Sequence, residues 1–332
     1  MVDFKKFFPR IRRRKSPLNF VYDDSYWMVD IGNHVFPLMK YRLIYEKLIS
    51  WGVKKENILE PPPAQDEDIL RVHSPRYLKK LKSGKLSQAE MLALELPYSP
   101  DLLHFARLHV GGTAIAAEKA MEEGMAAHLG GGFHHAFSDH GEGFCVLNDV
   151  AVAIEKLKHT GVIQKALVVD CDVHQGNGTA DIFSKQEYVF TFSIHQMDIY
   201  PANKSESTVD VGLWSGEGDD VYLESLQSHF PRIFEEFRPD VVFYLAGADP
   251  YEKDQLGGLQ LSLKGLKERD EILIGSARKR KIPVVILLAG GYAIDIEDTV
   301  AIHLNTIKAA QSIHRKQPQP PAKRDSSKEK RH

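Results

Sequence analysis

The chain predicts an α/β fold around a mostly parallel sheet, and three observations carry that expectation. Short apolar, β-branched runs recur, of which Ala166-Leu-Val-Val169 is the clearest, and a run of this kind ending in a polar, Gly-rich turn is what a central parallel strand buried on both faces looks like. The runs end in acids, histidines or glycines, the pattern of a sheet whose carboxyl edge forms a ligand crevice. Stretches with apolar residues at helical spacing occur along the same chain. With 332 residues and 43% hydrophobic content the chain can bury a large core, and a single α/β domain accommodates that length.

Taken in order, residues 1–17 are a basic lead-in carrying Lys5, Lys6, Arg10, Arg12, Arg13, Arg14 and Lys15, read as a solvated arm in preference to a strand flank or a polyanion contact. Leu18-Asn-Phe-Val-Tyr22 reads as a first strand that stops at Asp23-Asp24. Leu38, Tyr41, Leu43, Ile44 and Leu48 fall at helical spacing over residues 37–50, and Gly52 closes that helix. Pro61-Pro-Pro63 is a rigid loop, after which residues 66–70 and 73–77 open a further helical stretch. Tyr98-Ser-Pro-Asp101 is a turn capping a helix that runs to Gly124, with small residues Gly111, Gly112, Ala114, Ala116 and Ala117 permitting close packing. Residues 314–332, with Gln-Pro-Gln-Pro-Pro and a run of Lys, Arg and Ser, read as a disordered basic tail.

Chemistry gathers at the strand ends. The run at 166–169 passes into Asp170-Cys-Asp172-Val-His174-Gln-Gly-Asn177-Gly, where period-two alternation of an extended chain sends Asp170, Asp172 and His174 to one side. Two carboxylates and an imidazole suit a divalent metal held by oxygen and nitrogen with room for water; an N-cap aspartate beside a satisfied histidine is the plainer alternative. A second strand runs into Gly130-Gly-Gly132-Phe-His134-His135, whose glycines allow adjacent imidazoles to be aimed at one point for acid–base work, although paired loop histidines are commonly just solvated. Gly141-Glu-Gly143-Phe144 sets an aromatic ring on a flexible turn, as a pocket wall or as core. Further runs end in His195, with Tyr200 in the following loop as a second aromatic wall, in Asp249 as a further ligand, and in the glycine-flanked Tyr292. Five strand ends are thus expected to bring His134/His135, Asp170/Asp172/His174, His195, Asp249 and Tyr292 to one site.

Composition narrows the setting. A formal net charge of -2 gives no reason to expect nucleic acid as a partner of the whole chain. The only cysteines, Cys145 and Cys171, lie in apolar or site-forming segments, which points to a reducing compartment. No apolar run approaches the roughly 18 residues of a membrane span. The charged N-terminus lacks the apolar core of a secretory signal, so the cytoplasm is the expected address.

Together the motifs resemble the zinc-dependent histone deacetylase superfamily: Gly130-Gly-Gly-Phe-His-His135, Gly143-Phe-Cys145, Asp170-Cys-Asp-Val-His-Gln-Gly-Asn-Gly178, Ala246-Gly-Ala-Asp249, Leu256-Gly-Gly-Leu and Gly290-Gly-Tyr292 follow in the family's order over residues 18–310. His-Gln-Gly-Asn-Gly, Gln255-Leu-Gly-Gly-Leu and Lys267-Glu-Arg-Asp-Glu271 are most similar to the class IV branch and its bacterial relatives. The resemblance implies a three-layer α/β/α sandwich of the arginase/deacetylase type over residues 18–313. It also implies removal of acyl groups from lysine ε-amides of proteins or, alternatively, from acetylpolyamines and other small amides. Histones are not implied as the substrate.

By motif, the resemblance assigns Zn²⁺ to Asp172, His174 and Asp249 with a water in an open position, and Fe²⁺ suits the same two-carboxylate, one-histidine set. His135 is then the general base, His134 its electrostatic partner, Asp170 the group orienting His134, Asn177 the support behind His135, and Tyr292 the donor to the developing oxyanion. Phe144 and Tyr200 would flank the lysine methylenes, and the Gly143 carbonyl would receive the substrate amide N–H. Main-chain carbonyls of Asp170, Asp172 and His174, with Ser193 and Ile194, match a structural potassium site. Asn177 stands where some branches have aspartate, and Gln175 where histidine is common. The arginase-type alternative needs an aspartate two residues after the histidine to hold a second metal, and Gly176 occupies that position, so one metal is expected. A non-catalytic acyl-lysine binder would need neither Tyr292 nor the histidine pair.

Overall fold

Residues 17–315 are described by the computed structural model. The strands are β1 (Asn19–Val21), β2 (Ile58–Leu59), β3 (Met125–His128), β4 (Ala166–Asp170), β5 (Val189–Gln196), β6 (Val209–Leu213), β7 (Val241–Leu245) and β8 (Val284–Leu287). They form one sheet in the order β2-β1-β3-β8-β7-β4-β5-β6, and every neighbouring pair runs parallel. The helices are α1 (Met39–Ser50), α2 (Asp66–Ile69), α3 (Pro75–Ser83), α4 (Gln88–Leu94), α5 (Pro100–Glu123), α6 (Asp149–His159), α7 (Asn177–Phe183), α8 (Asp219–Glu236), α9 (Leu263–Lys279) and α10 (Ile296–Arg315).

Alternation along the strands divides the core into two layers. Val168 of β4 with Val241, Phe243 and Leu245 of β7 packs against Ala116, Ala117 and Ala120 of α5, Ile154 of α6 and Phe183 of α7. Leu167, Val169, Val242 and Tyr244 point the other way, toward Phe230 of α8, Ile274 of α9 and Ile307 of α10. The result is an α/β/α sandwich, as expected. Helix α5 begins at the Ser99 cap, whose side chain accepts the Leu102 N–H, and ends at Gly124 with φ +88.

Two strands escaped the sequence reading, and both are edges: β2 has only two residues, and β6 alternates half-buried with exposed positions. The expected basic arm, residues 1–17, lies outside the described residues except for Pro17. So does the expected tail, residues 314–332, except for His314 and Arg315, which complete α10.

Register decides where the chemistry can meet. His128 pairs with Leu287, Leu287 with Leu245, Leu245 with Asp170, and Asp170 with Ser193, so the carboxyl ends of β3, β8, β7, β4 and β5 line up along one edge.

Candidate active site

The Gly-rich loop after β3 is held from behind. Asp149, at the start of α6, accepts the N–H groups of Gly132 (3.0 Å) and Phe133 (2.8 Å) and the Thr113 hydroxyl, which fixes the turn that delivers the histidine pair. His134 Nδ1 bonds Asp170 Oδ2 at 2.7 Å, and its Nε2 lies 3.1 Å from His135 Nε2. His135 Nδ1 meets Asn177 Oδ1 at 2.7 Å, at the first turn of α7. The two rings diverge electrostatically. Burial alone would depress His134, but the charges of Asp170 and Asp172 carry it up to about 9; burial and then the neighbouring His134 and His174 hold His135 well below the usual imidazole value. The two environments thus favour the charged form of His134 and the neutral form of His135.

Asp172, His174 and Asp249 converge beside the pair, each offering one ligand atom, all within 4.8 Å of one another and all buried. His174 Nδ1 lies 3.2 Å from Asp172 Oδ1 and 3.7 Å from Asp249 Oδ2. Main-chain donors hold the remaining oxygens: Gly290 N–H reaches Asp172 Oδ2 at 3.0 Å, and Val173 N–H reaches Asp249 Oδ1 at 2.9 Å. Asp249 Oδ2 is buried without a hydrogen-bond partner among the described residues. Burial and then the charge of Asp172 push Asp249 up to about 8, and the same two carboxylates carry His174 to about 10 against the opposing effect of burial. A pocket that leaves one acid oxygen orphaned and draws a proton onto its imidazole is built for positive charge. A Cβ at Gly290 would run into Asp249 Oδ2 and Asp172 Oδ2, so glycine keeps that cradle open. Two carboxylates and a histidine fit a single divalent cation. At Gly176 a side chain would collide with Asp170 and His134, leaving no room for the extra carboxylate of a binuclear centre.

Above the triad lies a cavity of about 810 Å³, counting its open mouth. Its lining includes His134, His135, Asp172, His174, Tyr292, Phe144 and Tyr200, with Phe36, Phe133 and Leu256 adding apolar surface. Tyr200 packs edge-on against His135 (5.0 Å between centroids) and Phe144 edge-on against Tyr292 (6.0 Å). Burial, followed by Asp172 and Asp249, raises Tyr292 well above the usual phenol value, so it keeps its proton. Asp254 accepts the Tyr292 N–H at 2.7 Å and Gln255 Nε2 donates to the Tyr292 carbonyl at 2.8 Å. The turn carrying Gly143 and Phe144 was expected to be flexible. Instead it is pinned: Gly143 and Phe144 N–H bond the carbonyls of Ala93 and Leu94, and Glu142 and Cys145 exchange main-chain bonds of 3.1 and 2.8 Å. Both residues adopt positive φ (+49 and +67), and a Cβ on Gly143 would lie 2.7 Å from the Tyr200 hydroxyl.

Four of the five predicted strand ends meet here. His195 does not: it is buried in β5, bonds Ser193 Oγ at 2.9 Å and lies 3.9 Å from Asp210, outside the pocket lining, because β5 runs on past the end of β4 and keeps His195 paired to Gly212 of edge strand β6. Ser193 and Ile194 lie in β5, with Ser193 paired in register to Asp170. Asp170 is not a member of the ligand cluster: its Oδ2 bonds His134, and its Oδ1 accepts the Asp172 N–H at 3.1 Å. Several supporting residues carried no sequence signal. Glu142 bonds Asn177 and Tyr200 (3.0 and 2.7 Å), and the fully buried Lys40 donates to the Ala289 carbonyl at 2.8 Å. Arg269 of α9 donates to the carbonyls of Gly247 (2.6 Å) and Cys171 (3.3 Å), just ahead of Asp249 and Asp172. No helix among the described residues is long and apolar enough to cross a membrane.

A buried imidazole pair, a triad fit for a cation with Asp172 and His174 reaching the pocket, and a phenol hydroxyl in the same lining suit metal-assisted hydrolysis of a polarised carbonyl. The histone deacetylase domain matches residues 34–307. An uncharacterised protein of Picosynechococcus sp. is 37% identical, over 89% of this chain and 98% of its own length. Histone deacetylase 2 of Arabidopsis thaliana is 33% identical, over 83% of this chain and 75% of its own. The crystal structure of the HDA15 HD domain superposes with a TM-score of 0.74 over 90% of each chain at 23% identity, a likeness of fold. The chain belongs to the histone deacetylase family and is an amide-hydrolysing deacetylase of the arginase/deacetylase superfamily.

Proposed function

We propose that the chain removes acyl groups from lysine ε-amides of cytoplasmic proteins with one Zn²⁺ held by Asp172, His174 and Asp249. The observation that supports this reading most is the one pocket lined by His135, by Asp172 and His174 of the triad, and by Tyr292, together with Phe144 and Tyr200, while Asp249 completes the triad behind that lining. When bound, the ion supplies Lewis acidity to the substrate carbonyl and acidifies the attacking water. His135 takes the water's proton at Nε2 and returns it to the departing lysine amine, a role that requires the neutral ring. His134, kept charged by Asp170, opposes protonation of His135 and favours the negative charge that develops beside it. Tyr292 donates its retained proton to that oxygen. Phe144 and Tyr200 flank the lysine methylenes, and the Gly143 carbonyl accepts the substrate amide N–H. Carbonyls of Asp170, Asp172 and His174, with Ser193 and Ile194, would hold a structural K⁺.

The test is to incubate the zinc-loaded protein with lysine peptides and polyamines carrying acetyl to myristoyl groups and to quantify the released acid by mass spectrometry. Acid is expected from the peptides, and Tyr292→Phe should retain its metal while losing roughly 10²-fold in kcat, the scale of one oxyanion donor. Release from the polyamines alone would overturn the substrate class, and equal turnover by the Tyr292 variant would remove that hydroxyl from the chemistry.

A further inference from the structure

Glu142 lies behind the pocket wall, outside its lining, yet it ties together three parts of the site. Its Oε1 accepts the Asn177 Nδ2–H at 3.0 Å and the Tyr200 hydroxyl at 2.7 Å, and its main chain closes the turn that carries Gly143 and Phe144. The bond to Asn177 has a chemical consequence, because a side-chain amide has two different ends. A carboxylate can only accept, so it claims the NH₂ end of Asn177 and leaves Oδ1 for His135 Nδ1, 2.7 Å away. An acceptor at Nδ1 requires Nδ1–H, and the neutral ring then has its lone pair at Nε2. With the amide reversed, its NH₂ would face Nδ1 and the proton of the neutral ring would sit at Nε2, the nitrogen that has to be bare.

We propose that Glu142 is a positioning residue that sets the tautomer of His135 by fixing which way the Asn177 amide points. The inference rests on the reading of His135 as the base only for its effect on turnover; the tautomer itself is a structural property. Glu142 is held below the usual carboxylate range, first by His140, whose Nε2 lies 3.6 Å from its Oε2, and further by Tyr200 and Asn177, so it remains an acceptor at neutral pH. His134 Nε2, 3.1 Å from His135 Nε2, is the other neighbour able to bias the ring, and the experiment separates the two.

The measurement is ¹⁵N-histidine NMR of the zinc-loaded full chain, with the His135 resonances identified by their loss in His135→Asn, alongside kcat and KM on an acyl-lysine peptide. The wild type should show the Nδ1–H tautomer. E142A should show a mixture with Nε2–H and lower kcat roughly ten- to a hundredfold with little change in KM, the usual scale for a partner behind a reacting group. E142Q, which fills the same space but can also donate, should move in the same direction by less. Y200F removes the hydroxyl that shares Glu142 Oε1 with Asn177 and should leave the tautomer unchanged. The double variant E142A/N177D should restore Nδ1–H and most of kcat, since a carboxylate at 177 accepts from Nδ1–H whichever way it turns. A His135 that stays wholly Nδ1–H in E142A would overturn the proposal and assign the tautomer to His134. A tautomer shift without loss of kcat would uphold the role of Glu142 and instead remove His135 as the base.

Discussion

Asn177 shows how much one side chain can decide. An amide holds His135 through a hydrogen bond without adding charge, so the burial that depresses the imidazole is not offset, and the ring stays neutral below its ordinary pKa of about 6.5. Activity should therefore persist to acid pH and fail only as pH drops through that lowered value. Asn177→Asp adds a negative charge that favours imidazolium and raises the pKa, with Glu142 reinforcing the same field. The acidic limb of the kcat/KM profile should move to higher pH, by about one unit for opposite charges in contact. A limb that stays in place would show that the two groups do not interact in solution. The position of Asn177 was legible from its motif, three residues after His174. Glu142 was not, because a lone glutamate between two glycines reads as a solvated loop residue; its role depends on Asn177 and Tyr200, 35 and 58 positions away.

At the level of elements, the strand ends were readable because a central parallel strand writes a continuous apolar run and then stops, as in Val168-Val-Asp170 or Phe243-Tyr-Leu245. Edge strand β6 writes a weak alternation instead, and β5 writes no stop at His195: the strand continues through Gln196, so a histidine that looks terminal in the sequence is still paired to Gly212 of β6. Helix α9 hid most. Lys267-Glu-Arg-Asp-Glu271 looks like a solvated charged face, yet Arg269 and Asp270 are fully buried, with Asp270 also bonded by Tyr244 and Thr306. From that helix Arg269 grips the main chain one residue before Asp172 and two before Asp249, both members of the candidate cation triad. Arg269→Met should leave Asp270 as an uncompensated buried charge and cost about 3–5 kcal/mol in urea unfolding. Zinc affinity should weaken in parallel, since the loops bearing Asp172 and Asp249 lose their common anchor. Undiminished zinc affinity in a destabilised variant would restrict Arg269 to the core.

For the molecule as a whole, the crowding at Gly176 and the cradle at Gly290 predict one catalytic transition-metal ion per chain. Metal analysis after removal of loosely bound ions should give that stoichiometry, and two per chain would contradict the steric argument. The cradle also has a bearing on biosynthesis. Asp172 is tied to the main chain of Gly290 across 118 positions, and the two ends of the site, His134 and Tyr292, are contributed by strands β3 and β8 that lie side by side in the sheet although most of the domain separates them in sequence. A nascent chain that has not yet delivered β8 to the middle of the sheet has neither the Gly290 donor nor the Tyr292 wall, and a parallel sheet of such distant strands assembles late. The cradle for an ion is therefore complete only once β8 has taken its place between β3 and β7, so formation of the binding site and closure of the middle of the sheet are one event in folding.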